Sequence, residues 1–229
     1  MLSLADLTSY LFTPIPILSL SHSLRMTPQV WLITGCSSGF GHELVLEILH
    51  RGHNVIATAR NTAKIEDLEA KGASVLQLDV TADTETIRSL VAAAFQIHQR
   101  IDVLVNNAGY VSMGAVEETI HDETLKQFNT NLFGPLNLVR AVAPYMREQH
   151  SGVIANFSSM AAWEGLPGCG LYCASKAAVS CVSESLRVEL AEFGISVTAI
   201  EPGYFRSNLL NTGARSPPPN RIAAYGGTV

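Results

Sequence analysis

From residue 29 onward the chain alternates short apolar runs with longer amphipathic stretches. Residues 30–34, Val-Trp-Leu-Ile-Thr, form an apolar run that ends in glycine-rich sequence, the pattern of a strand buried on both faces of a parallel sheet. Residues 41–50 follow with Leu44, Val45, Ile48 and Leu49 at helical spacing. The same alternation predicts strands at 54–58, 74–78, 101–105, 153–157 and 195–200. Helices are predicted at 62–71, from the N-cap Asp83 to about 99, over 123–148 and over 172–193. The helix at 123–148 must tolerate Gly134, Pro135 and Pro144, so a kink is expected there. Six strands alternating with helices predict an α/β fold, a doubly wound parallel sheet of Rossmann-like type with helices on both faces.

Residues 1–26 have a different texture. Their apolar stretch is interrupted by Pro14 and Pro16 and carries Asp6, which is too short and broken for a spanning helix. No Lys or Arg precedes Arg25, so a secretory leader is not indicated. The expectation is a loosely ordered arm at 1–26, followed by one catalytic domain over 27–229.

Composition adds exclusions. With 229 residues and 47% hydrophobic content, the chain can bury one sizeable core. A net charge of -5, with only four lysines and no basic stripe, argues against nucleic acid and against an anionic membrane surface. Cys36, Cys169, Cys173 and Cys181 have no metal-type spacing, and no histidine pair completes one. No metal is expected, and free thiols point to the cytoplasm.

The candidate chemistry centres on Tyr172-Cys173-Ala174-Ser175-Lys176. A Tyr and a Lys four residues apart share one helix face, where an ammonium lowers a phenol's pKa towards acid/base use. Chance alone supplies roughly 0.1 such pairs in a chain of this composition, so the pair needs support from other motifs. Between the first strand and first helix stands Thr34-Gly35-Cys36-Ser37-Ser38-Gly39-Phe40-Gly41. Glycines there allow a tight turn and let helix N-terminal amides approach a pyrophosphate. The second strand ends without an acidic residue. Arg60 stands instead where a guanidinium meets a 2′-phosphate, which favours NADP(H), with NAD(H) as the alternative. Asp79, ending the third strand, is placed to touch adenine.

These motifs, in this order and spacing across about 30–207, resemble the short-chain dehydrogenase/reductase family in its single-domain branch. Leu78-Asp79-Val80 resembles the adenine-contact strand end, and Asn106-Asn107-Ala108-Gly109 the segment that steadies the sheet and lines the ribose. Asn131 falls at the family's catalytic asparagine, and Ser159, thirteen residues before Tyr172, at its serine, while Ser158 is one step off. Glu201-Pro202-Gly203-Tyr204-Phe205-Arg206-Ser207 resembles the segment covering the nicotinamide.

The resemblance implies catalytic roles for Asn131, Ser159, Tyr172 and Lys176. It implies cofactor contacts from Gly35, Ser37, Ser38, Gly39, Phe40, Gly41, Arg60, Asp79, Val80, Asn106, Ala108, Gly109, Tyr172, Lys176, Pro202, Gly203, Phe205 and Ser207. Tyr172 would exchange the proton, Lys176 would lower its pKa and hold the nicotinamide ribose, Ser159 would bind the substrate oxygen, and Asn131 would hold a water linking Lys176 to solvent. The substrate would be an alcohol or carbonyl, and Leu166, Leu171 and Tyr204 suggest an apolar one.

The tail from about 208 is shorter than the family's, and no strand or long helix is expected in it. A seventh strand is missing from the pattern, which leaves the sixth as a bare edge unless the tail or another subunit covers it. That bears on stability, on closure over substrate and on any homo-oligomer interface. A cofactor-binding remnant of little activity, or a sugar-nucleotide epimerase or dehydratase sharing Tyr-x-x-x-Lys, are the alternative readings.

Overall fold

The computed structural model describes residues 27–205, the backbone of 215–216, and residues 221–226. The arm expected at 1–26 and the candidate Ser207 lie outside them. The strands are β1 (Val30–Ile33), β2 (Asn54–Ala59), β3 (Ser74–Gln77), β4 (Val103–Asn106), β5 (Val111–Ser112), β6 (Gly152–Phe157), β7 (Ile195–Ile200) and β8 (Arg215–Ser216). The helices are α1 (Gly39–His50), α2 (Glu66–Glu69), α3 (Thr84–His98), α4 (His121–Phe128), α5 (Gly134–Gln149) and α6 (Gly170–Glu189).

Six strands form one parallel sheet in the order β3-β2-β1-β4-β6-β7. Strand order reverses between β1 and β4, and a crevice opens outside the carboxyl ends of the strands at such a switch point. Alternation along each strand builds two cores. Val30, Leu32, Leu104 and Ile154 face α3 and α5, meeting Ile87, Val91, Leu138, Val142 and Met146. Trp31, Ile33, Val105 and Phe157 face α1, meeting Leu44, Val45 and Ile48.

Two predicted helices differ from expectation. The segment expected at 62–71 is a 3-10 turn, Thr62–Ile65, followed by the single-turn α2. Only Ile65 and Leu68 are buried in it, and Gly72 at φ +103° ends it. The long helix expected at 123–148 is α4 and α5 separated by a π-helical turn, Asn129–Phe133. Pro135 cannot donate to the carbonyl of Asn131, and the Gly134 N–H bonds instead to the Asn129 carbonyl. α5 then continues through Pro144.

Among the described residues no seventh strand joins the sheet, and β7 is its edge. The tail takes another route. β8 pairs with β5, against the expectation of no strand there. The Ile222 N–H bonds Glu118 Oε1 at 2.9 Å and the Tyr225 hydroxyl donates to Glu117 Oε2 at 2.7 Å. The tail is thus held to the segment after β4 rather than to the sheet edge.

Candidate active site

β1 delivers Thr34 into the crevice, where its hydroxyl accepts from the Asn107 and Ala108 N–H groups, both at 3.0 Å. The Asn107 amide donates back to the carbonyls of Thr34 at 2.8 Å and Gly35 at 3.1 Å. The loops after β1 and β4 are therefore laced together, and glycine is required where they touch. Gly35 has φ +71°, and a Cβ there would stand 2.8 Å from Ala108 Cα. A Cβ on Gly41 would stand 2.5 Å from Asn107 Nδ2.

α1 starts in this turn. Ser38 is extended and makes no side-chain cap, and the first turn carries no acidic residue. Its N–H groups, with exposed Ser37 and Ser38 beside them, are open to an anion. That cradle fits the pyrophosphate of a dinucleotide. Phe40 packs against Phe157 at 5.7 Å and Phe205 at 5.4 Å between ring centroids, joining the turn to the residues after Pro202-Gly203. Cys36, by contrast, is buried, its thiol pushed up to about 12 by desolvation and donating to the Ile33 carbonyl.

Arg60 is exposed just past β2, and its carbonyl accepts from Gln77. Asp79 is also exposed, and one of its oxygens accepts from the Thr81 N–H and hydroxyl. Val80 is buried under the first residue of α5, where a Cβ on Gly134 would lie 2.8 Å from the Val80 carbonyl oxygen. Asn106 is not brought to the cleft. Its amide donates to Asn156 Oδ1 at 2.8 Å, and Asn156 to Ser183, a buried polar chain between β4, β6 and α6.

α6 carries Tyr172 and Lys176, 8% and 5% exposed, one turn apart. Lys176 Nζ donates to the Phe157 carbonyl at 2.7 Å and stands 5.9 Å from the Tyr172 ring centroid. Burial pulls Lys176 down to about 8. Tyr172 moves up, because desolvation outweighs its hydrogen bond with Ser159. The spacing alone leads one to expect a phenol lowered by Lys176; the largest influence on Tyr172 here is its own burial, which acts in the opposite direction.

The two adjacent serines part company here. Ser158 is buried and bonds the Lys176 carbonyl at 2.9 Å and Ser180 at 2.7 Å. Ser159 is half-buried, caps Ala161 at 3.1 Å and reaches Tyr172.

Asn131 lies in the π-helical turn, 1% exposed. Its Oδ1 accepts from the Tyr110 N–H at 3.1 Å, and its Nδ2 donates to the Tyr110 carbonyl at 3.0 Å and to Ser175 at 3.2 Å. A Cβ on Gly109 would stand 3.2 Å from Asn131 Oδ1 and 3.5 Å from Lys176 Nζ, so both atoms approach the side on which Gly109 carries no side chain. Thr34 and Asn107, which the sequence reading quotes within its motifs without giving them a contact of their own, brace the site, and Gln127, which it does not mention, joins them. Gln127, one turn before Asn131, clamps the same segment by accepting from Ser112 and donating to the Tyr110 carbonyl. The i, i+4 pair of amides is the signal that could have found it. Among the described residues no cluster fit for a metal occurs, and no helix is long and apolar enough to cross a membrane.

A doubly wound sheet with an anion cradle at its switch point, and a buried Tyr/Lys turn beside a serine, defines a dinucleotide-binding enzyme architecture. The chain belongs to the short-chain dehydrogenase/reductase family of oxidoreductases, the short chain dehydrogenase model matching residues 29–216. It is 41% identical over 190 residues to Oxidoreductase claN of Passalora fulva, covering 81% of this chain and 86% of that one. It is 40% identical over 186 residues to 3-ketodihydrosphingosine reductase of Bacteroides thetaiotaomicron, covering 80% of this chain and 66% of that one. Among solved structures, a short-chain dehydrogenase from Streptomyces avermitilis superposes with a TM-score of 0.82 at 42% identity, covering 89% of this chain and 75% of that one. Similar structures also include an NAD+-bound xylitol dehydrogenase, with a TM-score of 0.74 at 30% identity over 79% of this chain and 72% of that one. ElxO with NADP bound has a TM-score of 0.75 at 32% identity over 80% of this chain and 77% of that one.

Proposed function

We propose that this chain is an NADP(H)-dependent oxidoreductase interconverting an alcohol and a carbonyl on an apolar small molecule. The observation that carries the reading is the convergence of Tyr172, Ser159 and Lys176 beside the glycine turn. The dinucleotide, when bound, supplies or accepts a hydride. The first-turn N–H groups of α1, with Gly35, Ser37, Ser38, Gly39 and Gly41, hold its pyrophosphate. Asp79 and Val80 flank the adenine, Ala108 and Gly109 the ribose, and Pro202, Gly203 and Phe205 the nicotinamide side. Ser207 joins these on the sequence resemblance.

Tyr172 gives its proton to the carbonyl oxygen. Its raised pKa keeps it protonated at neutral pH, which suits the reductive direction. Ser159 donates to the same oxygen as charge develops there. Lys176 places a positive charge within the same turn. Asn131 has both ends of its amide bonded to protein, so we assign its side chain to holding residues 109–110 against Lys176 rather than to carrying a water.

Arg60 supports NADP(H) over NAD(H), since a solvated guanidinium at the end of β2 accepts a 2′-phosphate where an acidic residue would repel it. Similar structures hold either cofactor. An apolar substrate is supported by Val116, Met160, Trp163 and Tyr204, large side chains left exposed. Val116 lies against Gly170 at the start of α6 and Met160 beside Gly203. The relative named as a reductase supports a carbonyl substrate.

The test is a panel of aldehydes, ketones and alcohols assayed with NADPH, NADH and their oxidised forms. Turnover of apolar carbonyls with NADPH is expected. Binding of NADPH without turnover of any member would overturn the reading in favour of a binding protein.

A further inference from the structure

Glu201 precedes the Pro202-Gly203 pair, and its carboxylate bridges two other segments. Oε2 accepts from the Trp163 indole N–H at 2.7 Å, and Oε1 accepts from the Ser180 hydroxyl at 2.6 Å. Trp163 lies four residues beyond Ser159, and Ser180 one helical turn beyond Lys176 on α6. The backbone on either side of Glu201 is also fixed, since the Ile200 carbonyl accepts from Ser158 and the Pro202 carbonyl from Met160. One side chain therefore ties together the segment bearing Ser159, the helix bearing Tyr172 and Lys176, and the Pro-Gly segment.

Packing does not account for Trp163. It is 74% exposed, although tryptophan is a residue type that is mostly buried on average. Its hydrogen bond to Glu201 holds it there, as one wall of a pocket of about 250 Å³ with Gly165, Gly170, Cys173 and Ala177. That pocket is lined by neither Tyr172 nor Lys176, so the bridge lies outside the reacting groups.

We propose that Glu201 is a positioning residue, whose carboxylate holds the Ser159 segment, α6 and the Pro-Gly segment in the register turnover needs. Glutamine could keep the bridge, its oxygen accepting from Trp163 and its NH2 donating to the Ser180 hydroxyl, so the variant that removes both contacts is Glu201→Ala. The proposal rests on the oxidoreductase reading above for its kinetic consequence, but not for its spectroscopic one.

The experiment compares wild type, Glu201→Ala, Trp163→Phe and the double variant. We expect kcat with NADPH and an apolar carbonyl to fall about five- to tenfold in each single variant, with the KM for NADPH within about twofold of wild type. The double variant should be no slower than the slower single one, since both remove the same bridge. Additive losses, or unchanged kcat in Trp163→Phe, would overturn the proposal. Trp163→Phe alters an exposed side chain and keeps the test open should Glu201→Ala fold poorly.

The chain has two tryptophans, so subtracting the Trp163→Phe emission from that of wild type isolates Trp163. Recorded without cofactor, that emission should differ from the Trp163 emission of Glu201→Ala, isolated by subtracting the double variant, because the indole N–H there loses its carboxylate partner. Identical Trp163 emission in the two would overturn the bridge. If wild type turns over no substrate at all, the oxidoreductase reading fails instead, and the emission alone decides on Glu201.

Discussion

Replacing Ser158 or Ser159 with alanine should give opposite results, although the two are neighbours in sequence. Ser158 is 4% exposed and its hydroxyl meets the Lys176 carbonyl and the Ser180 hydroxyl. With Ser180 donating to Glu201, the one Ser158 proton is shared between these two acceptors, so Ser158→Ala should destabilise by about 1–2 kcal/mol. For a domain of this size that corresponds to a Tm lower by about 2–8 °C. Ser180 keeps its bond to Glu201, and turnover should stay within about threefold of wild type. Ser159 is half-buried, and its one backbone contact caps the short turn Met160–Ala162. Losing that cap should cost no more than about 1 kcal/mol. Losing the donor to the substrate oxygen should lower kcat about 10²-fold. Differential scanning fluorimetry and steady-state kinetics on both variants give the comparison. The reasoning would be refuted if Ser158→Ala lost turnover as severely as Ser159→Ala while keeping its Tm.

Three further outcomes follow from charge. Arg60→Ala should weaken NADPH binding about ten- to hundredfold and leave NADH nearly unchanged, and fluorescence titration of both cofactors checks this; equal losses would mean that Arg60 acts structurally. Lys176, drawn down to about 8 by burial, binds fewer protons folded than unfolded between that value and the ordinary lysine pKa near 10.5, so stability should rise with pH across that window. Urea unfolding of wild type and Lys176→Met at pH values on either side of the window, about 7.5 and about 10.5, should show this rise only in wild type. The rate of carbonyl reduction should meanwhile fall above pH 8 as the Lys176 ammonium loses its proton.

Much of this molecule is legible in the order of its residues. The apolar runs form the central strands β1, β2, β4 and β6 because burial on both faces demands such runs, while the edge strands β3 and β7 are only partly buried, and the order of motifs brings the glycine turn and Tyr172 to one crevice. What escapes the sequence depends on tertiary contact. The split between α4 and α5 turns on Pro135 withholding one N–H from Asn131, which composition announces only as a risk. The direction of the Tyr172 pKa is hidden because spacing shows that Lys176 shares its face but not how deeply both are buried. Asn106 cannot be told from Asn107 by motif alone, yet one side chain faces β6 and the other the glycine turn. Glu201 has no local signal either, since its partners lie 38 and 21 residues away.

The central claim is that Tyr172 exchanges the proton beside a dinucleotide held by the glycine turn. Single-turnover reduction of an apolar carbonyl by NADPH-loaded Tyr172→Phe, beside wild type, tests it most directly. The substitution removes only the hydroxyl, so NADPH affinity should stay within about twofold while the rate falls about 10²-fold or more. A variant keeping more than about a tenth of the wild-type rate, with chemistry limiting, would contradict the assignment.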